Sequence, residues 1–197
     1  MQQNMMWNSS RNYLVIGILA VSIFACNKEY QLKKVIREEL SRGIKHDSLF
    51  LGLKFGITIQ EFYDHCWELN RQGLVREGPR NMSVEYIFKD SLDQPVAFNF
   101  YADRNGEGPI RQYNTSFYYY AWALNRHLYS DRLMEMLPAI LMDWYGGNEP
   151  ISVIKEGKEY LYKVDGNRMI EMFIYDQSTV AVTYYDLSHE DNREVWQ

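Results

Sequence analysis

Asp64, His65 and Cys66 follow one another in the chain, and they are the residue types of an orienting acid, a base and a nucleophile. The same stretch carries Phe62, Cys66 and Leu69 at the spacing of one helix face. Successive helical residues diverge by about 100°, so His65 cannot align with Cys66 across a substrate. Cys66 falls on the apolar stripe, which predicts a buried small hydrophobe in place of a reactive thiol. Glu61, His65 and Glu68, at i, i+4 and i+7, share another face and belong to types that bind divalent ions. No fourth ligand accompanies them, so the spacing predicts a solvated face; no metal and no cofactor is expected. Asp103, Asn105 and Glu107, with Gly106, partly mimic a calcium loop. Its glycine directly follows the third position and its twelfth is Asn114 where Glu is needed, so an ordinary hairpin loop is expected. Gly-x-Ser-x-Gly, Gly-x-Gly-x-x-Gly, P-loop, His-Glu-x-x-His and Cys-x-x-Cys patterns are all absent from the sequence, which withdraws support from the common motif-bearing enzymes.

The aromatic block 117–122 is the feature that stands out. In a strand, Tyr118, Tyr120 and Trp122 point to one side and Phe117 and Tyr119 to the other. Either both sides are covered, or one displays a row of rings that stacks on sugar or anchors a protein. Tyr113, Tyr118, Tyr120 and Trp122 are accordingly the candidate binding surface.

These residues need elements to position them. Leu49, Leu51, Leu53 and Phe55 alternate with other residues, which predicts a strand. Thr58 and Glu61 form a capping-box pattern that opens a helix ending at Gly73. Strands are expected at 74–76, 84–88 and 96–101, with Pro95 at a strand start, where its missing N–H is tolerated. A second round begins at Ile110: an aromatic strand, a helix over 131–145 bearing Leu133, Met136, Leu137, Ile140, Leu141 and Trp144, and strands at 151–154, 159–164, 169–175 and 179–185. Pro138 inside that helix is expected to kink it. Asp165-Gly166 reads as a hairpin turn. The expected fold is α+β: an antiparallel sheet with helices on one face, in two similar strand-helix-meander halves. Its bounds are a leader at 1–25, a polar spacer or short helix at 26–46, one domain at 47–187 and a polar tail at 188–197.

The leader has one cation, Arg11, an apolar run over 13–24 and Ala25 before Cys26. That run is shorter than the roughly 20 residues a membrane-spanning helix needs and suits a signal peptide. Ile23-Phe24-Ala25-Cys26 resembles a lipobox, which implies cleavage before Cys26 and lipid, palmitate included, on that cysteine; a soluble secreted protein or an uncleaved anchor is the alternative. Asn27 carries no acidic inner-membrane retention cue, so the outer membrane is the expected location. The net charge of −5 becomes one unit more negative once Arg11 leaves, and this argues against nucleic acid as a partner. With Cys26 lipidated, Cys66 stands alone and no intramolecular disulfide is available. Stability then rests on packing, for which the 15% of aromatic residues supply large buried areas.

With that lipobox, the segment 52–62, Gly-Leu-Lys-Phe-Gly-Ile-Thr-Ile-Gln-Glu-Phe, resembles the helix entry of the SmpA/OmlA outer-membrane lipoproteins and is similar to the β-lactamase-inhibitor-protein fold. The likeness covers about thirty residues, and this chain is longer than one such unit. It implies a non-enzymatic module whose sheet binds another protein, with Gly56, Thr58 and Phe62 as framework. Lys28-Glu29 after Cys26 resembles surface-export signals of Bacteroidota lipoproteins, and Asp47-Ser48-Leu49 and Asp90-Ser91-Leu92 match that phylum's O-glycosylation tripeptide. The functional expectation is a membrane-anchored envelope lipoprotein acting as a non-catalytic protein-binding or structural module. A glycan-binding lipoprotein using the aromatic strand and a motif-free envelope hydrolase are the alternatives.

Overall fold

The computed structural model describes residues 28–79, 82–88, 94–103, 108–120 and 125–194. The fold is α+β, built on an antiparallel sheet of eight strands. These are β1 (Val75–Glu77), β2 (Val84–Phe88), β3 (Val96–Ala102), β4 (Gln112–Tyr119), β5 (Ile151–Lys155), β6 (Lys158–Asp165), β7 (Arg168–Ile174) and β8 (Thr179–Asp186). Their order across the sheet is β1-β2-β3-β4-β8-β7-β6-β5. The centre is therefore the β4–β8 pair, in register Tyr113↔Tyr184 and Phe117↔Val180.

Helix α1 spans 28–41, α2 Ile59–Arg71, α3 Ser130–Tyr145 and the short α4 Glu190–Glu194. The start of α2 follows from its sequence: Thr58 Oγ1 accepts from the Glu61 amide at 3.2 Å, and Glu61 Oε2 accepts from the Thr58 amide at 2.7 Å. Two otherwise orphaned donors are satisfied, and these hydrogen bonds from Thr58 hold the Glu61 carboxyl below its usual range. At the entry to α3 the Ser130 hydroxyl donates to the Asp176 carbonyl at 2.7 Å, which ties the helix to the β7–β8 connection.

One face of the sheet carries Phe98, Phe100, Tyr113, Phe117, Tyr119, Met172, Val182 and Tyr184, all buried against Phe62, Cys66 and Leu69 of α2 and Leu133, Leu137 and Leu141 of α3. The opposite face carries Val153, Tyr162, Val164, Met169 and Leu187, which bury Leu32 and Ile36 of α1. Helices thus lie on both faces and not on one alone. The weak stripe Leu32, Val35, Ile36 and Leu40 is enough to seat α1 because the sheet end beneath it is apolar.

The alternating segment 49–55 is not a strand. Its residues Phe50–Gly52 form a 3-10 turn with Leu51 at φ 50°, and only Ser48 and Lys54 bridge. The amide of Leu49 donates to the Leu53 carbonyl at 2.8 Å and that of Leu53 to the Phe50 carbonyl at 3.0 Å, so the chain closes on itself. The aromatic core explains the departure: Phe50 inserts with its ring centroid 4.6 Å from Phe98, 5.1 Å from Phe100 and 5.2 Å from Tyr184. A strand would have pointed Phe50 away from Leu49 and Leu53, whereas the turn buries all three.

A buried ionic cluster fastens α1 and the end of α3 to the β6–β7 hairpin. Lys163 is fully buried; its Nζ donates to the Gly146 and Asn148 carbonyls and pairs with Asp165 Oδ2 at 2.8 Å. Glu39 of α1 accepts from the Gly166 amide and from Asn148 Nδ2, each at 2.9 Å, and pairs with Arg42 at 2.6 Å. Arg168 stacks its guanidinium 4.0 Å from the Tyr145 ring centroid and donates to the Ser48 carbonyl at 2.9 Å. Gly166, at φ 56°, makes this turn possible, since a Cβ there would collide with the Ile44 carbonyl.

Candidate functional site

Beyond α1, the sheet face opposite α2 and α3 presents the partly exposed side chains of β4, Asn114, Ser116 and Tyr118. The aromatic strand delivers Tyr118 and Tyr120 to this face, and pairing adds residues from three further strands. Arg76 on β1 stands directly opposite Glu85 on β2, Glu85 opposite Asn99 on β3, and Asn99 opposite Ser116 on β4. The Glu85 side chain is only 5% exposed, and both its oxygens are engaged. Arg76 Nε donates to Oε1 at 2.6 Å, with Nη2 at 2.5 Å, and the Tyr118 hydroxyl donates to Oε2 at 2.7 Å. Arg76 Nη2 also donates to the Tyr120 hydroxyl at 3.2 Å, and the guanidinium lies 5.5 Å from that ring's centroid.

This is a continuous chain of charge-assisted hydrogen bonds, short in the manner expected when a carboxylate accepts. Its electrostatics follow from it. Burial, and then the neighbouring Glu85, push the Tyr118 phenol up, against a hydrogen bond from Asn99 that pulls it down. The hydrogen bonds to Tyr120 and Glu85 raise Arg76 above its ordinary value and keep it charged. Chemically the array presents a fixed, half-exposed guanidinium and two phenols of which Tyr120 is 56% exposed. With both its oxygens held, the Glu85 carboxylate braces the array.

Of the residues singled out from sequence, Tyr118 and Tyr120 meet in this array. Tyr113 does not. It is fully buried on the α2 side, its hydroxyl donating to the Lys54 carbonyl at 2.8 Å. The reason is parity: Tyr113 lies an odd number of residues from Tyr118 and shares its face with Phe117 and Tyr119. Trp122, Cys26 and the 104–107 part of the loop lie outside the described residues.

Cys66 is buried, and burial pushes its thiol up to about 12, as its place on the apolar stripe predicts. Glu61 is occupied by the helix cap, and His65 Nε2 sits 2.7 Å from the Leu51 carbonyl, bracing the tight turn. Arg76, Glu85 and Asn99 were missed. The signal that could have found them is the opposite-charge pair Arg76/Glu85 on successive strands, which becomes informative once antiparallel register is assumed.

A second polar cluster lies beside α1. Burial raises Glu171 above the usual carboxylate range, against hydrogen bonds from Tyr162 and Tyr185 and the nearby Lys155. Lys155 is itself held below its ordinary value by burial and lies 4.9 Å from the Tyr162 ring centroid. No family model matches the chain, and the curated proteins and the solved structures likewise yield no match.

Proposed function

We propose that this chain is a non-catalytic binding module of the bacterial cell envelope, lipid-anchored through Cys26, whose sheet face beyond α1 engages a protein partner. The observation that carries the reading is the Arg76–Glu85–Tyr118–Tyr120 array on that face. Arginine and tyrosine are the types that dominate interface energies, and here a buried carboxylate fixes their geometry before any partner arrives. The order helix then four-stranded meander, α2 with β1–β4 and α3 with β5–β8, supports reading the sheet as two similar halves meeting at β4–β8. Such a double unit accounts for a chain longer than the single-unit lipoproteins that segment 52–62 resembles.

The test is an alanine scan with detergent-solubilised full chain as bait for envelope proteins. Tyr120→Ala is expected to weaken a captured partner by more than about 1 kcal/mol while leaving the melting temperature nearly unchanged. Tyr113→Ala is expected to cost about 3–5 kcal/mol of folding. Partner capture that Tyr120→Ala and Arg76→Ala both leave intact sinks the proposal. The anchor is tested separately by labelling with a palmitate analogue: wild type should label and Cys26→Ser should not.

A further inference from the structure

Next to the array, the same face dips into an open groove of about 480 Å³ crossing β3, β4, β8 and β7. Asn99, Asn114, Ser116 and Thr183 are among the residues of its floor, and Tyr101 and Tyr175, 47% and 67% exposed, are among those of its walls. We propose that this groove is a binding site for a neutral saccharide, adjoining the protein-binding array at Tyr118 but separate from Arg76 and Tyr120.

The argument is one of chemical matching. Among the described residues no cation lines the groove, so nothing there compensates a phosphate or carboxylate ligand. The carboxylate that does line it, Asp176, has one oxygen committed to its own turn: Oδ1 accepts from the Ser178 amide and hydroxyl at 2.8 and 2.9 Å and from the Thr179 amide at 2.9 Å. The floor then sets amides and hydroxyls beside Ala181 and Phe173, between exposed rings. Asn114 Oδ1 accepts from Gln112 Nε2 at 3.0 Å, which orients its NH2 group as a donor. Alternating neutral donors and acceptors suit ligand hydroxyls, and phenol rings suit the apolar C–H faces of a pyranose. A peptide adding a strand would instead seek sheet-edge backbone groups, and a groove over the interior strands β3, β4, β8 and β7 offers none.

The experiment is calorimetric titration of the detergent-solubilised full chain with neutral hexasaccharides of glucose, mannose, galactose and N-acetylglucosamine. Saturable binding to at least one is expected. Tyr175→Ala and Asn114→Ala should weaken it about tenfold or more, and Trp67→Ala, on the exposed side of α2 and outside the groove, should leave it unchanged. Absence of binding to every member of the set, or binding that both groove variants retain at full strength, overturns the proposal. Loss of protein capture in the groove variants, without any saccharide binding, overturns it too while leaving the protein-binding module standing. Thermal melts of each variant confirm that the comparison is between folded proteins.

Discussion

Tyr118→Phe isolates one hydrogen bond in a place where its loss has a definite consequence. The substitution keeps the ring and removes only the hydroxyl that donates to Glu85 Oε2 at 2.7 Å. Glu85 is too buried for water to replace that donor freely, its side chain being 5% exposed. Arg76 serves the other oxygen, so the new vacancy falls on Oε2. Hydrogen bonds to charged groups are worth about 1.5–3 kcal/mol, and an unmet buried acceptor carries a penalty of the same size. For a domain of this length that corresponds to roughly 3–12 °C in melting temperature. The assay is a thermal or urea melt of wild type, Tyr118→Phe, Glu85→Gln and the double variant. If the two residues act through one bond, the double-mutant cycle should show coupling of about 1 kcal/mol or more. A Tyr118→Phe protein as stable as wild type, or strictly additive losses, would refute the claim that Glu85 holds the tyrosine in place.

Three further outcomes are expected. Lys163→Met removes the cation that holds the Gly146 and Asn148 carbonyls and leaves Asp165 only Arg168 as a cation, at 3.6 Å, and should destabilise by about 3–5 kcal/mol in a urea melt. Thr58→Ala removes the cap of α2 and should cost about 0.5–2 kcal/mol, read the same way. Glu171 has a folded-state pKa raised above the unfolded value, so its contribution is fully present below the usual carboxylate range and is lost as pH rises through the raised value. Glu171→Gln should therefore gain stability relative to wild type near neutral pH and lose that advantage on acidification, as followed by melting temperature against pH.

Local rules make part of the fold legible in the chain itself. The Thr58/Glu61 box lies within a few residues of sequence and acts over one helical turn, so it is readable and forms as expected. Strands such as Val84–Phe88 and Val96–Ala102 announce themselves by alternation because one face of each meets an aromatic core. The same alternation misleads at 49–55, where Phe50 gains more from the rings of Phe98, Phe100 and Tyr184 than a strand would give it. Periodicity reports which residues are buried, and a tight turn can bury the same set as a strand.

The candidate site is legible only by halves, and the division has a physical cause. Tyr118 and Tyr120 are visible because they belong to one stretch of chain, whose side chains sort by parity alone. Grouping Tyr113 with them breaks that parity, and its burial is the result. Arg76, Glu85 and Asn99 come from three other strands, and they meet through the registers Arg76↔Glu85 and Glu85↔Asn99, which no single segment encodes. Register is set by the whole buried face: a one-residue slip of β2 would turn Glu85 into the core beside Phe98 and expel Tyr86. The packing of the α2 side therefore decides which polar groups assemble on the other side. A substitution such as Tyr86→Ser, on the opposite face from the array, should then weaken the Arg76–Glu85–Tyr118 contacts by loosening the register that places them.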